Sequence, residues 1–266
     1  NTTELQFTKA LQLGGVGIVA TDDVAHRVTA QGKDPTGMGR WSWMTFQGRN
    51  GIRTRVISVY GPCASPGPHT VNQQQYRYLR THQRDTEPRQ AVYDDLFEEA
   101  QIWINAGDHL VIGMDSNEDI RTGATENFFQ ALGMKEAVLS RHQGKSSPAT
   151  YNRNLQRQPI DGIWVTAGLR AIGAGYCAFG EGCPSDHRVL WIDILYEEAF
   201  GYKPQLLKYP PIRKLNTKDP RMVKKYNREV KKLLIKTGLA ERLFEVEADS
   251  RSNGWSQKHK REYNRI

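Results

Sequence analysis

Cysteine is scarce in this chain, which has only Cys63, Cys177 and Cys183 among its 266 residues. Three cysteines are too few for a disulfide framework, and a low number is typical of proteins kept in a reducing compartment. We also expect no secretory signal peptide. We therefore expect an intracellular location, with the nucleus as a candidate compartment.

Long hydrophobic runs are missing as well. No stretch of 18 consecutive apolar residues occurs, which excludes a membrane-spanning helix. The hydrophobic content of 38% over this length can still bury one large core or two modest ones. These values are those of a globular protein.

Acidic residues are scarce in the last quarter of the chain. Residues 201–266 contain 18 Lys and Arg but only 7 Asp and Glu, whereas residues 1–200 contain 19 and 22. This asymmetry predicts a globular domain over 1–200, followed by a basic linker and helical tail over 201–266. A basic tail attracts polyanions, although a simply solvated helix has the same composition.

A helix followed by a strand lies at the centre of the predicted domain. The helix begins at Pro88, a favoured residue in a first helical turn, and has an apolar stripe at helical spacing. The strand, around residues 109–114, is apolar and ends in Asp115-Ser116-Asn117. Strand ends of α/β folds are where ligands usually bind. We therefore expect the chemistry of the protein at this edge.

Similar polar residues end or begin other predicted strands, and together they suit the hydrolysis of a phosphate ester. The candidate site residues are Tyr60, Asp115, Asn117, Asp161, Asp186 and His187. Asp115 can orient or deprotonate a water, and Asn117 can hold the phosphate or the Asp115 carboxylate. His187 and Tyr60 can donate to the phosphate. Asp161 can pair with His187 and raise its pKa, and Asp186 can help to bind a divalent metal ion.

Five short motifs occur in one order across about residues 14–196. They are Tyr60-Gly61-Pro62, Gly113-Met114-Asp115-Ser116-Asn117, Thr150-Tyr151, Ile160-Asp161-Gly162-Ile163 and Ser185-Asp186-His187. In this combination the sequence resembles the endonuclease/exonuclease/phosphatase superfamily, with one residue inserted after Gly113. The resemblance implies a four-layer α/β sandwich of two mixed, mostly antiparallel sheets. It also implies phosphodiester hydrolysis with Mg²⁺ or Mn²⁺ as cofactor.

A narrower resemblance covers residues 39–90, with Gly39-Arg40-Trp41-Ser42-Trp43, Gln73-Gln74-Gln75-Tyr76 and Pro88-Arg89-Gln90. These stretches look like the endonuclease domain of eukaryotic retrotransposon-type proteins. The basic segment that begins at Asp219-Pro220-Arg221 resembles the helical connector of such proteins. The resemblance implies DNA as substrate and a reverse transcriptase domain as a possible downstream partner. From the lack of long apolar runs we expect no membrane association.

The superfamily has an Asn and a metal-binding Glu in its first two strands, well upstream of a Gly-Val-Gly-Ile strand. Here that strand matches Gly15-Val16-Gly17-Ile18, only fourteen residues precede it, and Glu4 is the sole acid among them. We therefore expect an N-terminally truncated fold that lacks its first strands. Three functions stay open: a DNA endonuclease, a non-catalytic nucleic-acid-binding relic of the fold, and a phosphatase acting on small molecules.

Overall fold

The structure is a computed structural model, which describes residues 15–141, 147–153, 158–204 and 217–265. The chain divides into two compact units, residues 1–205 and 206–266, and each is described by itself. Glu4 and residues 205–216 of the predicted linker lie outside the described residues.

The first unit contains eight described strands in two sheets. In chain order they are β1 (Val28–Lys33), β2 (Trp41–Gln47), β3 (Arg53–Tyr60), β4 (Asp108–Asp115), β5 (Met134–Glu136), β6 (Asp161–Thr166), β7 (Ala171–Tyr176) and β8 (Leu190–Ile194). Six form a mixed sheet in the order β1-β2-β3-β4-β6-β5, in which only β3 and β4 run parallel. The strands β7 and β8 form an antiparallel pair. The predicted α/β class with two mostly antiparallel sheets is confirmed.

The first unit also contains six described helices. They are α1 (Asp22–Ala25), α2 (Val71–Thr81), α3 (Pro88–Asn105), α4 (Gly123–Ala131), α5 (Ala137–Arg141) and α6 (Tyr196–Phe200). Of these, α2 to α5 lie between strands. The helix predicted to begin at Pro88 is α3, and the side chain of Glu87 caps it by accepting from the N–H groups of Arg89 and Gln90 at 2.8 and 3.0 Å. Because α2 and α3 lie between β3 and β4, these two strands can run parallel.

Both faces of the six-stranded sheet are covered by apolar side chains. On one face, Ile57 and Ile112 pack with residues of α3 and α4 such as Leu96 and Phe128. On the other face, Val111 packs in a cluster that also holds Phe200 of α6 and partly buried residues of β7 and β8. A strand buried on both sides needs a continuous apolar run, which is why β4 could be predicted from its sequence.

The strand expected around Gly15–Ile18 is not formed. Residues 15–21 have no strand or helix assignment, and 87% of the Val19 surface is exposed. A strand is stable only when a neighbouring strand satisfies its N–H and C=O groups, and no strand within the described ranges pairs with this segment. The prediction of a strand here was wrong.

The second unit contains three described helices, α7 (Pro220–Thr237), α8 (Leu239–Asn253) and α9 (Gln257–Arg265). Asp219 caps α7 by accepting from the N–H of Arg221 at 3.0 Å, and Gly238 ends it with a φ of 57°. Across the described segments of both units, no helix is long and apolar enough to cross a membrane.

Candidate active site

Three neighbouring strands place three of the candidate residues side by side at one edge of the sheet. Tyr60, the last residue of β3, pairs with Asp115, the last residue of β4, in parallel register. Asp115 pairs in turn with Asp161, the first residue of β6. Because β6 runs antiparallel to β4, its beginning lies at the edge where β3 and β4 end. The sheet register therefore brings together residues that lie far apart in sequence.

The carboxyl group of Asp115 is the most perturbed acid of this edge. Burial and the nearby charge of Asp161 raise its pKa to about 7, although the charge of His187 and a hydrogen bond act in the opposite direction. That hydrogen bond is donated by the backbone N–H of Asn117 to Asp115 Oδ1 at 3.0 Å. A carboxyl group with a pKa near neutrality can exchange a proton with a water under physiological conditions.

Asn117 links the ends of β3 and β4. Its backbone is in the left-handed region, with a φ of 53°, and its side-chain amide donates to the carbonyl oxygen of Gly61 at 2.8 Å. It also hydrogen-bonds the Tyr60 hydroxyl, whose pKa is raised by burial and by the charge of Asp115. A Cβ atom at Gly61 would lie 3.0 Å from the Ser116 carbonyl oxygen, which is closer than most side chains approach such an atom. The close approach of the two chain segments thus fixes Asn117 beside Tyr60.

His187 lies against Asp161. Its Nδ1 atom is 2.9 Å from Asp161 Oδ2 and 3.1 Å from Oδ1. The hydrogen bond to Asp161 raises the pKa of His187, and the charges of Asp161 and Asp115 add to this effect against the opposing effect of burial. Because a carboxylate can only accept, the proton lies on Nδ1, and Nε2 stays available for another partner.

Hydrogen bonds from neighbouring loops hold the backbone around Asp161 and His187. The buried Thr150 hydroxyl accepts from the N–H groups of Ile160 and Asp161 at 2.9 and 3.1 Å. His187 forms an isolated β-bridge with Tyr151. The N–H of His187 donates to the Ser185 hydroxyl at 3.0 Å. The Asp161–His187 pair is therefore positioned by main-chain contacts as well as by its own hydrogen bond.

The side chain of Asp186 is not grouped with those of Asp115, Asp161 and His187. Its side chain forms an ion pair with Arg153, with 3.0 Å between Arg153 Nε and Asp186 Oδ2. Among the described residues, donor atoms of Asp115, Asp161 and His187 lie within 4.8 Å of one another, and Asp186 is not in this group. Its role as a metal ligand stays a prediction.

The chemistry of this trio fits a divalent cation. Two carboxylates and one imidazole are donors that Mg²⁺ or Mn²⁺ accept, with Mn²⁺ more tolerant of nitrogen. Burial and, after it, the repulsion by Asp161 raise the pKa of Asp115. A bound cation would offset this repulsion and stabilise both carboxyl groups in their ionised form.

Glu118 and Arg89, which the sequence analysis did not assign to the site, contact the loops that carry the site residues. Glu118 follows Asn117 directly and forms an ion pair with Arg89, at 3.0 Å between Oε2 and Nη1. Glu118 Oε1 also accepts from Tyr93 and from the N–H of Thr125, at 2.8 and 2.9 Å. Arg89 in turn donates to the carbonyl oxygen of Pro62, at 3.2 Å from Nε and 3.1 Å from Nη2.

Arg89 and Glu118 therefore connect the loop after β3 to the loop after β4. Burial acts to raise the pKa of Glu118, but its hydrogen bonds and the charge of Arg89 outweigh this effect and lower it. The position of Glu118 beside Asn117 was a sequence signal for a role near the site. No spacing rule could have paired it with Arg89, which lies 29 residues away.

Comparison with known proteins gives partial matches at the level of structure. No family model matches the chain, and no curated protein sequence matches it. The catalytic domain of human Nocturnin, with bound sulfate, is 16% identical with a TM-score of 0.41, over 58% of this chain and 52% of that one. The catalytic domain of Xenopus laevis APE2 is 16% identical with a TM-score of 0.43, over 59% and 56%.

An endonuclease/exonuclease/phosphatase protein from Bacteroides vulgatus is 15% identical with a TM-score of 0.42, over 63% of this chain and 65% of that one. The chain spans 52–65% of the length of these three solved structures. Similarity at this level assigns no activity, which has to be inferred from the geometry of the site.

Proposed function

We propose that this protein hydrolyses phosphodiester bonds with the help of a divalent metal ion, as the DNA endonuclease domain of a retrotransposon-type protein. The observation that carries the proposal is the convergence of Asp115, Asp161 and His187, whose donor atoms lie within 4.8 Å of one another. Two acids and a histidine at a strand edge supply a proton acceptor, a cation site and a proton donor together.

Each residue has a distinct role in the proposed reaction. Asp115, with its pKa of about 7, accepts a proton from the attacking water or orients it. His187, whose Nε2 is left available by the hydrogen bond from Nδ1 to Asp161, donates to the phosphate. Tyr60 and Asn117 are hydrogen-bonded to each other beside Asp115 and contact the remaining phosphate oxygens.

The metal ion, as Mg²⁺ or Mn²⁺, would be held within the trio by the carboxylates of Asp115 and Asp161, while His187 keeps Nε2 for the phosphate. When bound, such an ion supplies positive charge to the phosphate oxygens and lowers the pKa of a coordinated water. Asp186 is kept as a further proposed ligand. The architecture that we propose for the domain, taken as residues 1–200, is the four-layer α/β sandwich.

The proposed substrate is DNA, and a reverse transcriptase domain further along the same protein is the proposed partner. Inside the cell, the nucleus is the compartment in which a chromosomal DNA substrate would be met. A non-catalytic nucleic-acid-binding domain is the alternative, and it differs from the first proposal in predicting binding without hydrolysis.

The experiment that tests hydrolysis is nicking of supercoiled plasmid in the presence of Mg²⁺ or Mn²⁺. Asp115→Asn and His187→Ala should each abolish nicking, because each removes a group that handles a proton in the reaction. Asp119→Asn is a matched control, since Asp119 is an acid in the same loop whose carboxylate is paired with Arg121 at 2.7 Å. This control should nick the plasmid as the wild type does.

Two results would contradict the proposal. Equal nicking by the wild type and by both site variants would show that the activity comes from elsewhere. Binding of DNA by a folded wild type that never nicks it, at any concentration of either metal, would favour the non-catalytic alternative.

A further inference from the structure

The helix α7 of the second unit carries its charges and its apolar residues on opposite sides. Six cations recur at intervals of three and four residues, which places them on one face of a helix. They are Arg221, Lys224, Lys225, Arg228, Lys231 and Lys232. The other face contains Val223, Tyr226, Val230, Leu233 and Leu234. Glu229 is the only acid within α7, so the basic face has a large excess of positive charge.

Most of this charge is exposed and has little local compensation. Glu229 pairs with both Arg228 and Lys232 at 3.3 Å, and Arg221 pairs with Asp219 at 3.3 Å. Within residues 217–265, no ion pair is formed by Lys224, Lys225 or Lys231. The side chain of Arg221 is 92% exposed. A row of cations on a rigid element, three of which have no acidic partner within residues 217–265, is complementary to a regularly spaced polyanion.

An anionic membrane surface is the other polyanion that a helix of this charge pattern fits. A helix that lies on a bilayer buries its apolar face in the lipid and keeps its polar face in water. On α7 this orientation would place the cations at the level of the lipid headgroups, so it is the proposed DNA substrate, and not the charge pattern, that favours nucleic acid here. A nucleic acid backbone that contacts the cations themselves uses the charge directly.

We propose that the basic face of α7 binds the phosphate backbone of DNA, as a contact surface additional to the candidate active site. The choice of DNA rests on the proposed function, whereas the charge complementarity does not. Backbone contacts of this kind carry no sequence information, so the surface adds affinity and leaves the choice of cleavage position to other residues.

The test compares DNA binding by three forms of the full chain without metal, so that no cleavage occurs. The first form is the wild type. The second replaces Lys224, Lys225, Arg228 and Lys231 by Gln, which favours helix as Lys and Arg do. The third is a matched control that replaces four exposed cations of the first unit, Lys33, Arg77, Arg80 and Lys135, by Gln. Affinity for a labelled duplex is measured by fluorescence anisotropy between 50 and 200 mM KCl.

We expect the α7 variant to bind at least about tenfold more weakly at low salt, with the slope of log K against log salt reduced by about 3. The control should keep most of the affinity and the slope of the wild type. Circular dichroism should show equal helix content for all three forms, which separates lost charge from lost structure.

Three results would overturn the inference. They are an unchanged slope in the α7 variant, an equal loss in the control, and loss of binding to phosphatidylserine vesicles in the α7 variant while its DNA binding is intact. The outcome is separable from that of the nicking test. If DNA binding depends on α7 but the wild type never nicks the plasmid, this inference is supported and the proposed hydrolysis is wrong. If the wild type nicks the plasmid but DNA binding does not depend on α7, the hydrolysis is supported and this inference is wrong.

Discussion

Asp161 accepts a hydrogen bond from His187 at 2.9 Å, between the first residue of β6 and a residue in the loop before β8. The contact joins the six-stranded sheet to the loop between the two strands of the second sheet. It raises the pKa of His187 and leaves Nε2 as the free nitrogen of the ring. The proton-donor role that we propose for His187 depends on this one pair.

Replacing Asp161 by Asn should therefore lower the pKa of His187. The hydrogen bond to Asp161 is the largest of the effects that raise this pKa, the charge of Asp115 contributes less, and that of Asp186 contributes least. Asp161→Asn should thus give a larger fall than Asp186→Asn. NMR titration of the imidazole resonances measures both, and an equal or inverted order would contradict the pairing.

Metal binding should strengthen with rising pH. Asp115 has to lose its proton to act as a ligand, and its pKa is about 7. Affinity for Mn²⁺ should therefore rise by about tenfold between pH 6 and pH 8, as the ionised fraction of this carboxyl group rises. Electron paramagnetic resonance of free Mn²⁺ measures the affinity. The Asp115→Asn variant should lose most of this pH dependence, and a variant that keeps it would exclude Asp115 as a ligand.

The elements that position the site were largely predictable from local sequence. The strand β4 is an apolar run that ends in an acid, and α3 has Pro88 in its first turn and a buried apolar stripe. Both signals depend only on residues within the element. The segment around Val19 has a similar apolar character but forms no strand, because strand formation depends on a partner elsewhere in the chain.

The properties of the site itself were less accessible from sequence. That Asp115 and Asp161 are neighbours follows from the register of β4 and β6, which depends on the whole sheet. The raised pKa of Asp115 requires both that neighbour and its burial. The Arg89–Glu118 pair joins two loops that local patterns cannot bring together, since loop conformation is set by the completed fold.

The Arg89–Glu118 pair gives a prediction about positioning. Arg89→Met should leave Pro62 and Glu118 without their shared donor and allow the loops after β3 and β4 to separate. We expect a reduced rate of plasmid nicking together with a loss of about 1–3 kcal/mol in the free energy of unfolding.

The matched control for this change is Arg84→Met. Arg84 is also partly buried and pairs with an acid, Asp95, at 2.6 Å, but this pair lies outside the candidate site. Arg84→Met should reduce stability to a similar extent and leave the nicking rate of the folded protein unchanged. If both variants nick at the wild-type rate once corrected for the folded fraction, Arg89 has no positioning role.

The buried pair of Asp34 and Arg40 should make the stability of the first unit sensitive to acid. Their side chains are both fully buried, with 2.7 Å between Arg40 Nε and Asp34 Oδ2. Burial acts to raise the pKa of Asp34, but the hydrogen bond and charge of Arg40 and the hydrogen bonds of Thr36 outweigh it, and the pKa falls below its ordinary value of 3.8. The folded state therefore holds this proton less tightly than the unfolded chain does.

The sign of the effect follows from this difference. The stabilisation by Asp34 is complete above about pH 4 and is lost as the pH falls through the lowered pKa of the folded state. Asp34→Asn should destabilise the protein by about 3 kcal/mol at pH 7, because Arg40 then loses its fully buried anionic partner and keeps Asp95, the Ala91 carbonyl and the Thr36 hydroxyl.

Urea unfolding of the wild type and the variant measures this contribution at each pH. The difference in the free energy of unfolding between the two proteins should shrink as the pH is lowered from 5 to 2.5. Acid protonates Asp34 in the wild type and so removes the charge that the substitution has already removed. Asp85→Asn is the matched control, because Asp85 is exposed and lies 3.6 Å from Arg80, and it should change stability by less than about 0.5 kcal/mol. A difference between wild type and Asp34→Asn that stays constant down to the lowest pH would show that the carboxylate charge does not stabilise the fold.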